Sequence, residues 1–151
     1  MKGPIAYIMS RFPHLPETFI LREMDELARL GWDIRLFPLV LQNQEVFHQT
    51  ASGWIKKANY SPFISWDVFT ANCLELVQNP GRYVKLWLQT IKENIVSPKF
   101  LLRAIFLFPK TVLMAKNMRQ MGIRHIHAHY ATHPAFVAWL IHNLAGARCW
   151  F

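Results

Sequence analysis

The segment His125-Ile-His127-Ala-His129-Tyr-Ala-Thr-His133 carries the densest chemistry of the chain. Alternate residues of an extended strand share a face, so His125, His127 and His129 line up on one side. Three imidazoles on one face offer the ligand type that zinc takes. No carboxylate or cysteine stands near them in sequence to complete or orient a site, so no bound metal is expected. Two other readings stay open. They are packed, hydrogen-bonded strand-end histidines, or they form a polar lining for a sugar or phosphate, chiefly through His129 and Tyr130. His133-Pro134 then opens a helix, whose free N–H groups can meet an anion.

The second candidate is Arg11-Phe-Pro-His-Leu-Pro-Glu-Thr18. It contains neither GxGxxG nor GxxxxGK[ST], so a dinucleotide fingerprint and a P-loop are both absent. Its plain reading is a turn before a helix capped by Glu17 or Thr18. Against that, Arg11 and His14 fall where a strand's carboxyl end meets a loop, the place where α/β sheets bind ligands. No GxSxG nucleophile motif occurs. Cys73 and Cys149 have no metal-binding spacing and fit a reducing compartment. Glu23, Asp25 and Glu26 read as a solvent-facing edge. No catalytic residue is assigned.

The elements around these segments follow from apolar spacing and from glycine and proline. Ile5 to Ser10 is apolar enough for a strand buried on both faces. Phe19, Ile20, Glu23, Met24, Leu27 and Leu30 keep helical spacing, with Glu23 the polar exception, and Gly31 supplies a left-handed stop. Trp32 to Leu41 is a second strand. Gln42 to Ser61 reads as a polar loop with a short strand near Ala58 to Tyr60. Ser65 to Gln78 is helical. Asn79-Pro80 and Ser97-Pro98 each open a further helix, the first capped by Asn79. The second of these ends at Met121, and Pro109 is expected to kink or divide it. Ile123 to His129 is a strand, Pro134 to Leu144 a helix closed by Gly146, and Ala147 to Phe151 the start of another strand. This order predicts one α/β domain over 1–151, a doubly wound parallel sheet with helices on both faces.

The 151 residues are 52% apolar with a net charge of +8. Between Pro80 and Met121 stand eight cations (Arg82, Lys85, Lys92, Lys99, Arg103, Lys110, Lys116 and Arg119) against Glu93 alone, so nearly all of the excess is local. Such a segment suits an anionic surface. Lys99, Arg103 and Lys110, flanked by Leu102, Phe106 and Leu113, make a basic face with apolar edges, as an interfacial membrane helix needs. Leu101, Ile105, Phe108, Val112 and Ala115 form the core stripe of the same helix. No nucleic-acid recognition motif is present. No run is long enough for a membrane span or a signal peptide.

Ile5-Ala-Tyr-Ile-Met-Ser-Arg-Phe-Pro-His-Leu-Pro-Glu-Thr-Phe-Ile-Leu-Arg-Glu-Met resembles the opening of bacterial GT-B glycosyltransferases, in particular the retaining group, family four, that builds exopolysaccharides such as colanic acid. In that group the first strand leads into an SRFPxxxETFI loop. His125-Ile-His-Ala-His-Tyr-Ala and the helix after it are similar to the group's HxHAHFA segment. The two blocks stand in the expected order. Pro16 replaces a frequent serine and Tyr130 the usual phenylalanine. The resemblance implies a Rossmann-like N-terminal, acceptor-binding half of a GT-B enzyme. It implies transfer of a sugar from a nucleotide-sugar donor to a lipid-linked or saccharide acceptor, with retained configuration and no metal or other bound cofactor. It places the protein in the cytoplasm, peripheral on the inner face of the plasma membrane. The acceptor cleft would draw on Arg11, Phe12, His14, Glu17, Thr18, His127, His129 and Tyr130, and the membrane face on Lys99, Arg103, Phe106 and Lys110. The apolar ending Cys149-Trp-Phe151 and the lack of a second, donor-binding domain predict that the chain is part of a longer protein and inactive by itself. The alternative is a stand-alone membrane-surface module using basic helices 80–121.

Overall fold

The first strand is the centre of the sheet. In a computed structural model, which describes residues 2–12, 18–41 and 49–150, β1 (Lys2–Phe12) pairs in parallel with β2 (Trp32–Leu41) on one side and β3 (His125–Ala128) on the other. Strand β4 (Arg148–Trp150) adds in parallel to β3, giving the order β2-β1-β3-β4. Parallel neighbours need crossover helices, which cover both faces and keep the middle of β1, Ile5 to Met9, apolar. Ala6 and Ile8 enter one core cluster, and Tyr7, Met9 and Phe12 enter the other.

The helix α1 (Thr18–Arg29) packs Ile20, Leu21 and Met24 onto the second cluster. Gly31 ends it with φ +85°, as its spacing predicts. The larger cluster lies on the opposite face, under α3 (Trp66–Gln78), α4 (Pro80–Asn94), α5 (Pro98–Gln120) and α6 (His133–Ala145). Ser65 Oγ accepts the N–H of Val68 at 3.2 Å and caps α3. Asn79 caps nothing with its side chain. Its own N–H goes to the Glu75 carbonyl, so this residue closes α3 as it starts α4.

Three expectations are corrected. Residues 49–57 form a helix, α2 (Gln49–Lys57), and no strand follows at 58–60, although the Asn59 N–H donates to the Leu36 carbonyl at 2.7 Å. Residues 42–48 lie outside the described set. Pro109 does not divide α5, which runs unbroken for 23 residues. The proline lacks the N–H that the Ile105 carbonyl would accept, and Ile105 is exposed, where water can replace it. The Pro109 carbonyl takes the Asn72 side-chain amide at 3.0 Å. Finally, Ile105 is not core and Leu113 is not a surface flank: Leu113 is buried.

Candidate functional site

The carboxyl ends of β1 and β3 carry chemistry on both faces. On the face covered by α1, the parallel register sets His127 beside Tyr7, with ring centroids 4.8 Å apart. His129 follows, its N–H donating to the Ile8 carbonyl at 3.1 Å. Nε2 of His127 and Nδ1 of His129 are 3.3 Å apart. From α1, Phe19 reaches the His129 ring, with centroids 5.3 Å apart, and Glu23 accepts the Tyr7 hydroxyl at 2.6 Å. Burial chiefly, and then the charge of His127, lower the pKa of His129, while Glu23 opposes both. A neutral imidazole there can both donate to and accept from a ligand hydroxyl. Tyr130 stands edge-on to His129 at 5.1 Å and has φ +75°, a left-handed conformation rare for an aromatic residue. Backbone strain of that sort gathers at binding sites.

On the other face, a cleft of about 310 Å³ opens between the strand ends and α5. Ser10 and Arg11 of β1 form one wall, Leu102, Arg103 and Phe106 of α5 the opposite one, and His133 its end. Two guanidinium groups therefore serve one apolar cleft. The His133 ring stacks on Phe100 at 5.4 Å, and its buried Nε2 has no hydrogen-bond partner among the described residues. Its pKa is lowered, first by burial and then by the Arg103 charge. Arginine with an apolar wall is the chemistry that holds a phosphate on a greasy group.

The sequence-predicted residues are therefore divided between two faces. His127, His129 and Tyr130 stand together. Arg11 does not join them and lines the α5 cleft instead. Phe12 is no cleft wall: it is 1% exposed and packs in the core with Met9 and Ile20, because β1 extends as far as Phe12. His14 and Glu17 lie outside the described residues, and Thr18 is described only as the first residue of α1. Arg103 and Phe106 reach the surface, as does Lys99. Lys110 is a correction, since it is fully buried. Its ammonium donates to the Leu39 carbonyl and lies over the rings of Tyr60 and Phe63 at 4.4 and 4.2 Å. One helical turn past Phe106, α5 has already dived beneath the sheet edge, and the lysine follows it.

Sequence reasoning missed Phe19 and Glu23. Glu23 is exposed, as its place on a solvent-facing edge predicts, but it also stands by the histidines, which lack a nearby carboxylate in sequence only. One ligand atom from each of Glu23, His127 and His129 lies within 4.8 Å of the others. The signal was its polarity within an otherwise apolar helical stripe. A further surface appears on α4, where Val84, Leu88 and Ile91 form an exposed stripe at helical spacing, continued by Ile95 just past the helix end, with Lys85 and Lys92 on its flank. Among the described residues, no helix is long and apolar enough to cross a membrane. The chain matches no family model, and comparisons with curated proteins and with solved structures return no relative.

Proposed function

We propose that the chain is the acceptor-binding domain of a retaining GT-B glycosyltransferase that extends a lipid-linked saccharide for a cell-surface polysaccharide. The observation that supports this reading most is the meeting of its two motif blocks. They are more than a hundred residues apart in sequence, yet their strands are neighbours in register, with carboxyl ends at one edge. His129, whose lowered pKa favours the neutral ring, would bond sugar hydroxyls together with His127, and Phe19 and Tyr130 would offer ring faces to the sugar. Arg11 and Arg103 would hold the phosphate of the lipid carrier. In transfer, the oxygen of an acceptor hydroxyl bonds to the anomeric carbon of the nucleotide sugar as that carbon's bond to the nucleoside diphosphate breaks, and the hydroxyl proton leaves with the released diphosphate. Donor binding and stabilisation of the leaving diphosphate would fall to a second domain.

The exposed α4 stripe and the outer turns of α5 support a second element, peripheral attachment to an anionic membrane surface. That surface by itself is also the basis of the rival reading, a stand-alone membrane-binding module. NMR titration of the isotope-labelled chain separates the two. A polyprenyl-diphosphate-linked saccharide in detergent should shift the amides of Arg11, Phe19, His127, His129 and Arg103. Shifts confined to α4 and α5, reproduced by anionic detergent alone, would favour the module. Saturating lipid-linked saccharide that moves none of the strand-end amides would sink the acceptor reading.

A further inference from the structure

Two imidazoles and a carboxylate converge where α1 passes the carboxyl end of β3. The His-x-His spacing puts both rings on one face of the strand. Their facing nitrogens, Nε2 of His127 and Nδ1 of His129, are 3.3 Å apart. Two ligand atoms on a tetrahedral zinc, each bound at about 2.0–2.1 Å, are themselves about 3.3 Å apart. The pair is thus spaced as one edge of a metal tetrahedron. Glu23 brings the third ligand atom, with all three within 4.8 Å of one another. Its side chain is exposed and can close the remaining distance without disturbing the core. Tyr7 holds Oε1 of Glu23 at 2.6 Å, an outer-shell bond that orients the carboxylate. Two nitrogen ligands exclude the oxygen-seeking calcium and magnesium and suit zinc or cobalt.

We propose that Glu23, His127 and His129 bind one divalent transition-metal ion of the zinc type, with the fourth position open beside Phe19 and Tyr130. Three protein ligands leave a place for water or for a ligand oxygen. The ion would tie α1 to β3. The ion would take the imidazole nitrogens that the glycosyltransferase reading, which requires no metal, gives to sugar hydroxyls, so the two uses of this spot are alternatives; metal binding is measured without any saccharide.

The test uses the untagged full chain after chelator treatment, titrated near neutral pH with zinc chloride by calorimetry and with cobalt(II) by visible absorption. One equivalent should bind, with the intense visible bands of tetrahedral cobalt. Tm should rise by roughly 5–10 °C at zinc concentrations a hundredfold above Kd. Glu23→Gln, His127→Gln and His129→Gln should each weaken binding by about tenfold or more, and Tyr7→Phe by about 10–100-fold. Glu23→Gln is the safest of these for folding, because that residue is exposed, and circular dichroism checks the others. Absence of stoichiometric binding overturns the proposal. So does one equivalent that Glu23→Gln and His129→Gln leave unweakened, since the ion would then sit on other histidines.

Discussion

The hydroxyl of Tyr7, on the central strand, donates a 2.6 Å hydrogen bond to Oε1 of Glu23 on the helix above it. The phenol is 2% exposed, while the carboxylate is solvent-accessible. A buried donor therefore has its partner at the protein's edge. Burial, and then the bond and charge of Glu23, raise the pKa of the phenol, so it remains a donor throughout the physiological range.

Replacing Tyr7 with Phe removes the donor and keeps the ring. A bond to a charged acceptor is worth about 1.5–3 kcal/mol, and rehydration of the freed carboxylate returns part of that. The expected loss is about 1 kcal/mol by urea unfolding. A double-mutant cycle with Glu23→Ala, which removes the acceptor, should show coupling of similar size. Additive single changes would mean that the bond contributes nothing to stability.

Lys110 offers a pH signature. Burial lowers its pKa from the ordinary 10.5 to about 8. The folded chain therefore releases this proton near pH 8, while the unfolded chain keeps it to about 10.5. Between those values the unfolded state binds more protons, so stability rises with pH across the window. Below pH 8 the cost of burying the charge is present in full, at about 3 kcal/mol. Lys110→Met should abolish this rise. At pH 7 its net effect should be small, because it removes the buried charge but also leaves the Leu39 carbonyl without its donor, a cost of about 1–3 kcal/mol. Thermal unfolding of both proteins from pH 7 to 10.5 checks this, and parallel curves would refute it.

The same lysine separates surface from core in membrane binding. Each exposed cation near an anionic leaflet contributes about 1 kcal/mol, or about fivefold in affinity. Lys99→Gln and Arg103→Gln should each weaken co-sedimentation with phosphatidylglycerol vesicles by about that factor at low salt. Leu88→Ser should weaken it by removing apolar contact from α4. Lys110→Met should leave it unchanged. Equal losses at Lys99 and Lys110 would mean that binding follows net charge rather than this face.

Much of the fold was legible because its signals are local. Gly31, Ser65, Pro80, Pro98 and Gly146 each mark a helix boundary within a residue or two, and the unbroken apolar run of β1 announced a strand covered on both faces. What escaped depended on register between distant elements. Helical spacing along α5 gave Lys110 the same face as Arg103, but which part of that face stays outside is decided by where α5 meets β2 and the 58–63 segment. Glu23 stood out as polar, yet its partners are a strand before it and one a hundred residues later. Arg11 and Phe12 are adjacent in sequence and opposite in fate, the one open to a cleft and the other sealed under α1.

Tyr130 tests whether strain is held at the site. Its φ of +75° places a Cβ-bearing residue in the left-handed region. That conformation costs about 1–2 kcal/mol for an L-residue other than glycine. Ala and Gly variants both lose the edge-on ring contact with His129, so the comparison between them isolates the backbone. Elsewhere in a folded chain glycine is the less stable choice by about 0.5–1 kcal/mol, since it gives up more freedom on folding. Here the order should reverse, with Tyr130→Gly more stable than Tyr130→Ala by about 1 kcal/mol in urea unfolding. Acceptor affinity should fall by the same factor in both, because each lacks the ring that would lie against the sugar. If Tyr130→Ala is the more stable of the two, the left-handed backbone carries no strain, and the residue is held there by its ring alone.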